Sequence, residues 1–324
     1  MYNFCKEHLC HGGRKMTFGK VVRSVGAALA YFGIYIVWQF IVMFTAIIAV
    51  AFKTVFAAGM DIVGQITENG EYTYGEINSS ITTLATYIDD TSAWLLEHTV
   101  HLTVISGILT LATYALIFAI RRKNVLREVG VEKMPVVPCL GMILLGAALN
   151  LSTATLLPFI PFPESWWNDY AVQTDALLGA SDWLVVLLTV IIAPILEEVV
   201  FRGLVHTRLK RGMPMLASMI FSSWLFGLMH GANIAFIYAS LLGFLLAWVF
   251  EKYKSLLAPI FLHLGFNLCA VVLDKLEDVP ALVCVLAVVV SVLGISAVQF
   301  TAKGKIEVSF VNNENSDDAS NPRE

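Results

Sequence analysis

The sequence predicts an all-α fold: a polytopic membrane helical bundle with about eight transmembrane helices. Of its 324 residues, 57% are hydrophobic and only 14% are charged, whereas soluble proteins average about 25% charged residues. Apolar runs that are long enough to cross about 30 Å of hydrocarbon recur along the chain. Basic residues collect in every second break between these runs, as they do on the cytoplasmic side of membrane proteins.

Eight apolar runs give the predicted spans, each at least about 18 residues long, which is the length that a transmembrane helix needs. They cover residues 25–52, 102–120, 136–158, 183–205, 214–231, 233–250, 256–273 and 280–300. The first run is about twice as long as the apolar part of a secretory signal peptide. No clear small-residue cleavage site follows it, so we predict that it is a transmembrane helix.

Charges in the breaks between the runs predict the orientation of the bundle. Residues 61–100 contain seven acids and no lysine or arginine, and the break around "PFPESWWNDY" contains acids only. The N-terminal segment and the break at 121–133 are rich in lysine and arginine. By the positive-inside rule, both termini are predicted to lie on the cytoplasmic side. Because the charges are sorted by side and no basic nucleic-acid motif is visible, nucleic acid is not a predicted partner.

One membrane domain without an internal repeat is predicted, in five segments. They are a cytoplasmic N-terminal segment at 1–24, an N-terminal transmembrane region at 25–180, a core at 181–275, a last transmembrane helix at 276–302 and a disordered cytoplasmic tail at 303–324. The N-terminal region includes an outer loop at 61–100. Within it, "INSSITTLATYIDDTSAWLLEHTV" has the spacing of an amphipathic helix on the membrane surface, and an ordered connector is a simpler interpretation than a ligand site.

The five cysteines do not predict a disulfide framework. Cys139, Cys269 and Cys284 fall within spans, and Cys5 and Cys10 fall on the reducing side. The N-terminal "CKEHLCH" contains soft metal ligands, but its short, loose spacing is not typical of a site with fixed geometry.

Ionisable residues inside the spans are concentrated in the second half of the chain. They are Glu197, Glu198, Arg202, His206, His230 and His263. Each such group costs roughly 3 kcal/mol near a bilayer centre, so groups of this kind usually mark functional sites. In "APILEEVVFRG", Glu198 and Arg202 are spaced i, i+4 and are predicted to pair. Glu197 is rotated by about 100° from Glu198, so it is free to titrate.

The helix that carries these acids is predicted to be irregular and long. Pro194 removes a backbone donor three residues before Glu197, which predicts a kink and a wet cavity. Continuation of the helix to about Lys210 would bring Glu197 to the depth of His230, at 1.5 Å rise per residue. His206 follows Arg202 by one turn and is predicted to be solvated near the cytoplasmic surface.

Two further motifs place polar side chains on neighbouring spans. "FGLMH" spaces Phe226 and His230 at i, i+4, and "HLGFN" does the same for His263 and Asn267. Taken singly, a histidine, an asparagine or a Glu/Arg pair in a span has a structural explanation. Together with Glu197, these side chains could activate a water molecule and stabilise an oxyanion.

The three motifs, in this order on the fourth, fifth and seventh spans, resemble those of the CPBP family, the CAAX-protease and bacteriocin-processing (Abi) intramembrane proteases related to the type II CAAX prenyl endopeptidases. "EEVVFR" matches E-E-x-x-x-R, "FGLMH" matches F-x-x-x-H and "HLGFN" matches H-x-x-x-N. The resemblance covers about residues 180–275, which makes the core at 181–275 the predicted catalytic core.

The resemblance implies a multi-pass intramembrane endopeptidase, metalloprotease-like or glutamate-dependent, in a bacterial cytoplasmic membrane, acting on a peptide or membrane-protein substrate. The implied roles are water activation by Glu197 with His230, oxyanion binding by His263 and Asn267, and support of the site by Glu198, Arg202 and Phe226. Glu197, His230 and His263 would also be the ligands of a catalytic Zn²⁺ ion, and the same groups can act without a metal.

Two other classes of protein would also keep ionisable groups within their spans. A transporter is disfavoured because the ionisable residues lie in one half of the chain and no repeat links the halves. A catalytically silent immunity or scaffold protein would bind a peptide in the same cavity. Within the protease class, CAAX-type processing, bacteriocin-type processing and self-immunity stay open, and the sequence predicts no oligomeric state.

Overall fold

The computed structural model of the protein describes residues 17–69, 74–178, 183–276 and 278–301. Throughout these ranges the regular structure is helical, without a strand, so the predicted polytopic helical bundle is confirmed. The cysteine and histidine cluster at 5–11 and the whole predicted tail at 303–324 lie outside the described residues, as does most of the predicted N-terminal segment.

The described part of the chain forms eleven helices, numbered here in chain order. They are α1 (Phe18–Asn69), α2 (Tyr74–Glu97), α3 (Thr99–Ile120), α4 (Val125–Val129), α5 (Val136–Leu156), α6 (Glu164–Leu178), α7 (183–209), α8 (Met215–Leu228), α9 (Ile234–Tyr253), α10 (Leu257–Asp274) and α11 (Ala281–Thr301).

Six helices are long and apolar enough to cross a membrane: α1, α3, α5, α9, α10 and α11. The other two predicted spans correspond to α7, which is continuous but changes its helical geometry along its length, and to α8, which has only 14 residues. The count of about eight spans is therefore consistent with the helices. Most of the predicted outer segment forms α2, a helix that packs mainly against α1.

Helices α5 and α10 approach each other closely because each contributes a glycine at the contact. A Cβ atom on Gly146 would lie 1.9 Å from the carbonyl oxygen of Leu262, and one on Gly265 would lie 2.1 Å from that of Ile143. Small residues at such contacts are typical of helix packing in membranes. This contact sets the position of α10, which carries His263.

An aromatic and aliphatic core joins α1, α3, α7, α8 and α9. Its largest buried side chains include Tyr35, Tyr114, Phe118, Phe201 and Phe226. Phe201 and Phe226 meet edge to face, with ring centroids 5.1 Å apart. The helices that carry the candidate site residues are therefore held by packing directly beside the site.

Candidate active site

The helix α7 is irregular on both sides of the two glutamates. Residues Leu188–Ile192 and Val199–His206 form π-helical segments around the regular segment Ala193–Glu198. Pro194 lies in this regular segment and donates no backbone hydrogen bond. π-helical turns occur frequently at functional sites. The predicted irregularity is present as widened turns, and α7 runs to Leu209, so the predicted long helix is confirmed.

Glu198 and Arg202 form the predicted ion pair, fully enclosed by protein. Arg202 Nη1 donates to Glu198 Oε1 at 2.8 Å, and the two side chains are 1% and 0% exposed. Arg202 Nη2 donates to the carbonyl oxygen of Gly243 at 3.0 Å. The guanidinium carbon also lies 4.4 Å from the centroid of the Phe226 ring. These contacts connect α7 to α8 and α9.

His263 connects the ion pair to Glu197. Its Nδ1 lies 3.0 Å from Glu198 Oε1, and because a carboxylate can only accept, Nδ1 is the donor. The opposite ring atom, Nε2, lies 3.8 Å from Glu197 Oε2. Glu198 is 0% exposed, whereas the Glu197 side chain is 18% exposed. The two neighbouring glutamates therefore occupy different environments: Glu198 is held by Arg202 and His263, and Glu197 is accessible.

Phe226 and His230 meet as their spacing predicts. His230 Nδ1 donates to the carbonyl oxygen of Phe226 at 2.8 Å, and the two ring centroids are 4.6 Å apart. The same Phe226 ring meets His263 edge to face at 5.8 Å. Helix α8 ends at Leu228, two residues before His230. Both imidazoles thus pack on one phenylalanine, and each uses Nδ1 as a donor while Nε2 is left for other contacts.

Asn267 makes a contact that its sequence motif did not predict. Its Nδ2 donates to the carbonyl oxygen of Thr189 at 3.0 Å, in the first π-helical segment of α7. The Thr189 hydroxyl is buried without a hydrogen-bond partner. The widened turn leaves a carbonyl that a side chain can reach, and Asn267 uses it to join α10 to α7. The Asn267 amide has a second N–H, which this hydrogen bond does not use.

The structure adds residues to the site that the three motifs do not contain. Gly243 and Thr189 supply backbone carbonyl oxygens to Arg202 and Asn267. Tyr35 on α1 packs on Phe201, four residues after Glu197 on α7, with ring centroids 6.0 Å apart. Backbone acceptors cannot be identified from a sequence. A polar aromatic residue inside an apolar run is a signal that could have indicated Tyr35.

His206 was predicted to be solvated, and this is wrong. It is 0% exposed, and its Nε2 lies 2.9 Å from Glu251 Oε1. Glu251 also pairs with Lys210 and Lys254. The prediction considered only the distance of His206 from the helix end, whereas α9 covers this turn of α7 and brings a carboxylate to it. His206 therefore belongs to an ion cluster with Lys210, Glu251 and Lys254.

The side chains proposed as zinc ligands do not form a ligand set. Among the described residues, no group of three His, Cys, Asp or Glu side chains is placed so that it could hold a metal ion. Of Glu197, His230 and His263, the structure brings Glu197 and His263 to 3.8 Å. As these side chains stand, they do not fit a tetrahedral metal site.

Comparisons with known proteins address the same part of the chain. Residues 179–269 match the family model described as type II CAAX prenyl endopeptidase Rce1-like. The resemblance to the CAAX protease family is confirmed. The matched residues, 179–269, are called the CAAX-protease segment below, after this match. The segment includes every residue of the three motifs, from Glu197 to Asn267, and helices α1 to α6 lie outside it.

One similar protein is the "Putative membrane peptidase YdiL" of Bacillus subtilis (strain 168), which is 30% identical over 96 residues. The aligned part is 30% of this chain and 39% of that protein, so the chain spans well under half the length of this relative. No solved structure matches the chain.

Proposed function

We propose that the protein is an intramembrane endopeptidase that hydrolyses a peptide bond of a membrane-associated protein or peptide. The observation that carries the proposal is the pair of neighbouring glutamates within the CAAX-protease segment. Glu198 is enclosed by Arg202 and His263, and Glu197 is accessible, 3.8 Å from His263 Nε2. A buried ion pair that holds a second, accessible carboxylate in place is what a general base requires.

In this mechanism Glu197 and His230 bind the attacking water. Glu197 takes one proton as the water oxygen attacks the peptide carbonyl carbon and forms a tetrahedral intermediate. The carbonyl oxygen becomes an oxyanion, which accepts hydrogen bonds from the second N–H of Asn267 and from Nε2 of His263. Since Nδ1 of His263 donates to Glu198, Nε2 donates only when the imidazole carries a proton on both ring nitrogens. Glu197 then returns the proton to the amide nitrogen as the C–N bond breaks. The net reaction consumes one water and yields a carboxyl and an amino terminus.

Glu198, Arg202 and Phe226 support the reaction without touching the substrate. Glu198 orients His263 through Nδ1, and Arg202 holds Glu198. Phe226 packs against Arg202, His230 and His263. The reacting groups come from two helices, α7 and α10, and from the turn that follows α8, so this packing sets their mutual geometry.

The mechanism proposed here is glutamate-dependent and uses no metal, because Glu197, His230 and His263 do not form a ligand set. The zinc-dependent alternative predicts that a chelator removes zinc and activity together. We expect cleavage by the purified full-length protein to survive exhaustive chelation, with metal content measured in the same sample. Loss of cleavage that added zinc restores would establish the metalloprotease alternative.

The substrate is proposed as a class. This class includes three kinds of membrane-associated substrate with a peptide bond to cleave: a prenylated CAAX protein, a bacteriocin precursor, and the peptide inactivated in self-immunity. We propose a bacterial cytoplasmic membrane on the resemblance to the CAAX protease family. We propose that both termini lie in the cytoplasm on the distribution of lysine and arginine between the spans.

The test compares peptide ends in membranes and medium from cells that carry the wild type, Glu197→Gln or Glu132→Gln. Glu132 is exposed between α4 and α5, and its replacement is the matched control. We expect peptide ends that appear with the wild type and Glu132→Gln and disappear with Glu197→Gln, at equal protein levels. If all three strains give identical ends and Glu197→Gln keeps the biological phenotype, the immunity or scaffold function is supported instead.

A further inference from the structure

The ion cluster of His206, Lys210, Glu251 and Lys254 joins the end of α7 to the end of α9. Lys210 Nζ donates to Glu251 Oε1 at 2.5 Å, and Lys254 Nζ donates to Oε2 at 2.5 Å. His206 Nε2 donates to Oε1 at 2.9 Å, since a carboxylate can only accept. Two lysines thus share one carboxylate, and the cluster is positively charged even when His206 is neutral.

A second carboxylate close by is shared in the same way. Glu128 on α4 pairs with Lys123, which follows α3, at 2.7 Å and with Arg208 on α7 at 3.0 Å. The backbone N–H of Leu256, just after α9, donates to the carbonyl oxygen of Gly130, just after α4, at 2.8 Å. The ends of α3, α7 and α9 therefore lie together, and cations outnumber carboxylates where they meet.

The cations at these helix ends are accessible to a ligand. The Lys210 and Lys254 side chains are 32% and 44% exposed, whereas Glu251 is 6% exposed. Arg122 and Arg211 are exposed as well, and neither forms an ion pair within the described part of the chain. The surface thus offers hydrogen-bond donors and positive charge to an anion, while the one carboxylate of the ion cluster is covered.

Two of these cations stand where the backbone favours glycine. In the described ranges, Arg122 and Lys254 are the two residues other than glycine with positive φ, at 54° and 53°. Each lies at the end of a helix, α3 or α9, where glycine is the usual residue. A helix end favours a cation, but Arg121 and Lys252 already supply one to each helix. Unfavourable backbone conformations of this kind often accompany a functional site.

We infer that this ion cluster binds the headgroup of an anionic phospholipid, with Lys210 and Lys254 donating to its phosphate oxygens. The cluster lies at the end of α9, a helix long and apolar enough to cross a membrane, so it lies where headgroups are found. Met215 and Leu216, which begin α8 just after Arg211, expose apolar side chains that acyl chains can contact. Basic residues at this level attract anionic lipids. The inference does not depend on the proposed protease function.

Lipid binding to the purified full-length protein, measured by native mass spectrometry in an uncharged detergent, tests the inference. The probes are phosphatidylglycerol, whose headgroup carries one negative charge, and phosphatidylcholine with the same acyl chains, whose headgroup has no net charge. We expect the wild type to bind phosphatidylglycerol at least about fivefold more tightly than phosphatidylcholine. This preference should weaken as the ionic strength rises.

Two variants remove one lysine each from the ion cluster. Lys210→Gln and Lys254→Gly are each expected to lower the affinity for phosphatidylglycerol by about fivefold and to leave that for phosphatidylcholine unchanged. Lys254→Gly also places glycine at the positive φ, so its Tm is expected to equal or exceed that of the wild type. An intact fold with weaker lipid binding would separate the role of this lysine from stability.

Lys252→Gln is the matched control, because it removes one charge from the same end of α9 but lies outside the ion cluster. Its Nζ lies 5.7 Å from the centroid of the Trp248 ring. We expect this variant to bind phosphatidylglycerol as the wild type does. A loss as large as that of the two cluster variants, or equal binding of the two lipids by the wild type, overturns the inference. Inorganic phosphate is the third probe, and displacement of phosphatidylglycerol by it would assign the site to a soluble phosphate instead.

Discussion

Arg202 is the residue on which the geometry of the candidate site depends most. Its guanidinium is held by a carboxylate on its own helix, by the carbonyl oxygen of Gly243 and by the face of Phe226. Gly243 leaves room for both groups: a Cβ atom there would lie 3.1 Å from the Phe226 ring and 3.3 Å from Arg202 Nη2, so a larger residue would press on them. A buried ion pair contributes little net stability, but breaking it is costly.

Replacing Arg202 with methionine is expected to destabilise the protein by about 3–5 kcal/mol, because Glu198 is left charged and buried without its partner. The free energy of unfolding of the full-length protein, measured in mixed micelles, tests this prediction. The double variant Arg202→Met with Glu198→Gln removes both charges and is expected to recover part of that loss. If the Arg202→Met variant is as stable as the wild type, the role given to this ion pair is contradicted.

At the scale of the helices, the contact between α5 and α10 places His263. Gly146→Ala is expected to destabilise the protein by about 1–3 kcal/mol, because the new methyl group collides with the backbone of α10. Gly141 lies on the same helix with no atom within 4 Å of an added Cβ. Gly141→Ala is therefore the control and is expected to leave stability unchanged or slightly raised. Equal stability of the two variants would disprove the close contact.

Another helix contact is electrostatic and depends on pH. Glu128 on α4 pairs with Lys123 and with Arg208 on α7. Burial raises the pKa of the Glu128 carboxyl, but the hydrogen bond from Lys123 and the charge of Arg208 outweigh this effect and bring the pKa below its ordinary value of 4.5. A carboxyl with a lowered folded-state pKa stabilises the protein above its unfolded-state pKa, and this stabilisation is lost as the pH falls.

The free energy of unfolding is therefore expected to decrease as the pH falls through about 4.5 and below, with part of the decrease due to Glu128. Unfolding curves of the wild type and Glu128→Gln, measured at neutral pH and at several acidic values, test this. The variant should be less stable at neutral pH and should lose less on acidification. Parallel curves would exclude a contribution from Glu128.

For the whole molecule, the sequence predicted the bundle and the pairing within each motif, because both follow from regular periodicities along the chain. The Glu198–Arg202 pair and the Phe226–His230 contact follow from the i, i+4 spacing. It did not predict that α1 continues to Asn69, about 78 Å at helical rise, because hydropathy marks the membrane-compatible part of a helix and not its ends. The burial of His206 and the Asn267–Thr189 contact depend on which helices are neighbours, and no local pattern contains that information.

The π-helical segments of α7 also determine the direction around the helix axis in which the later residues of α7 point. A π-helical turn holds about one residue more than an α-helical turn, so deleting a single residue from Val199–His206 would let that stretch become regular. Every later residue would then rotate by about 100° about the helix axis relative to Glu197. His206 and Arg208 would turn away from Glu251 and Glu128. The widened turns thus let one helix direct Glu197 to the candidate site and, further along, direct His206 to Glu251 and Arg208 to Glu128.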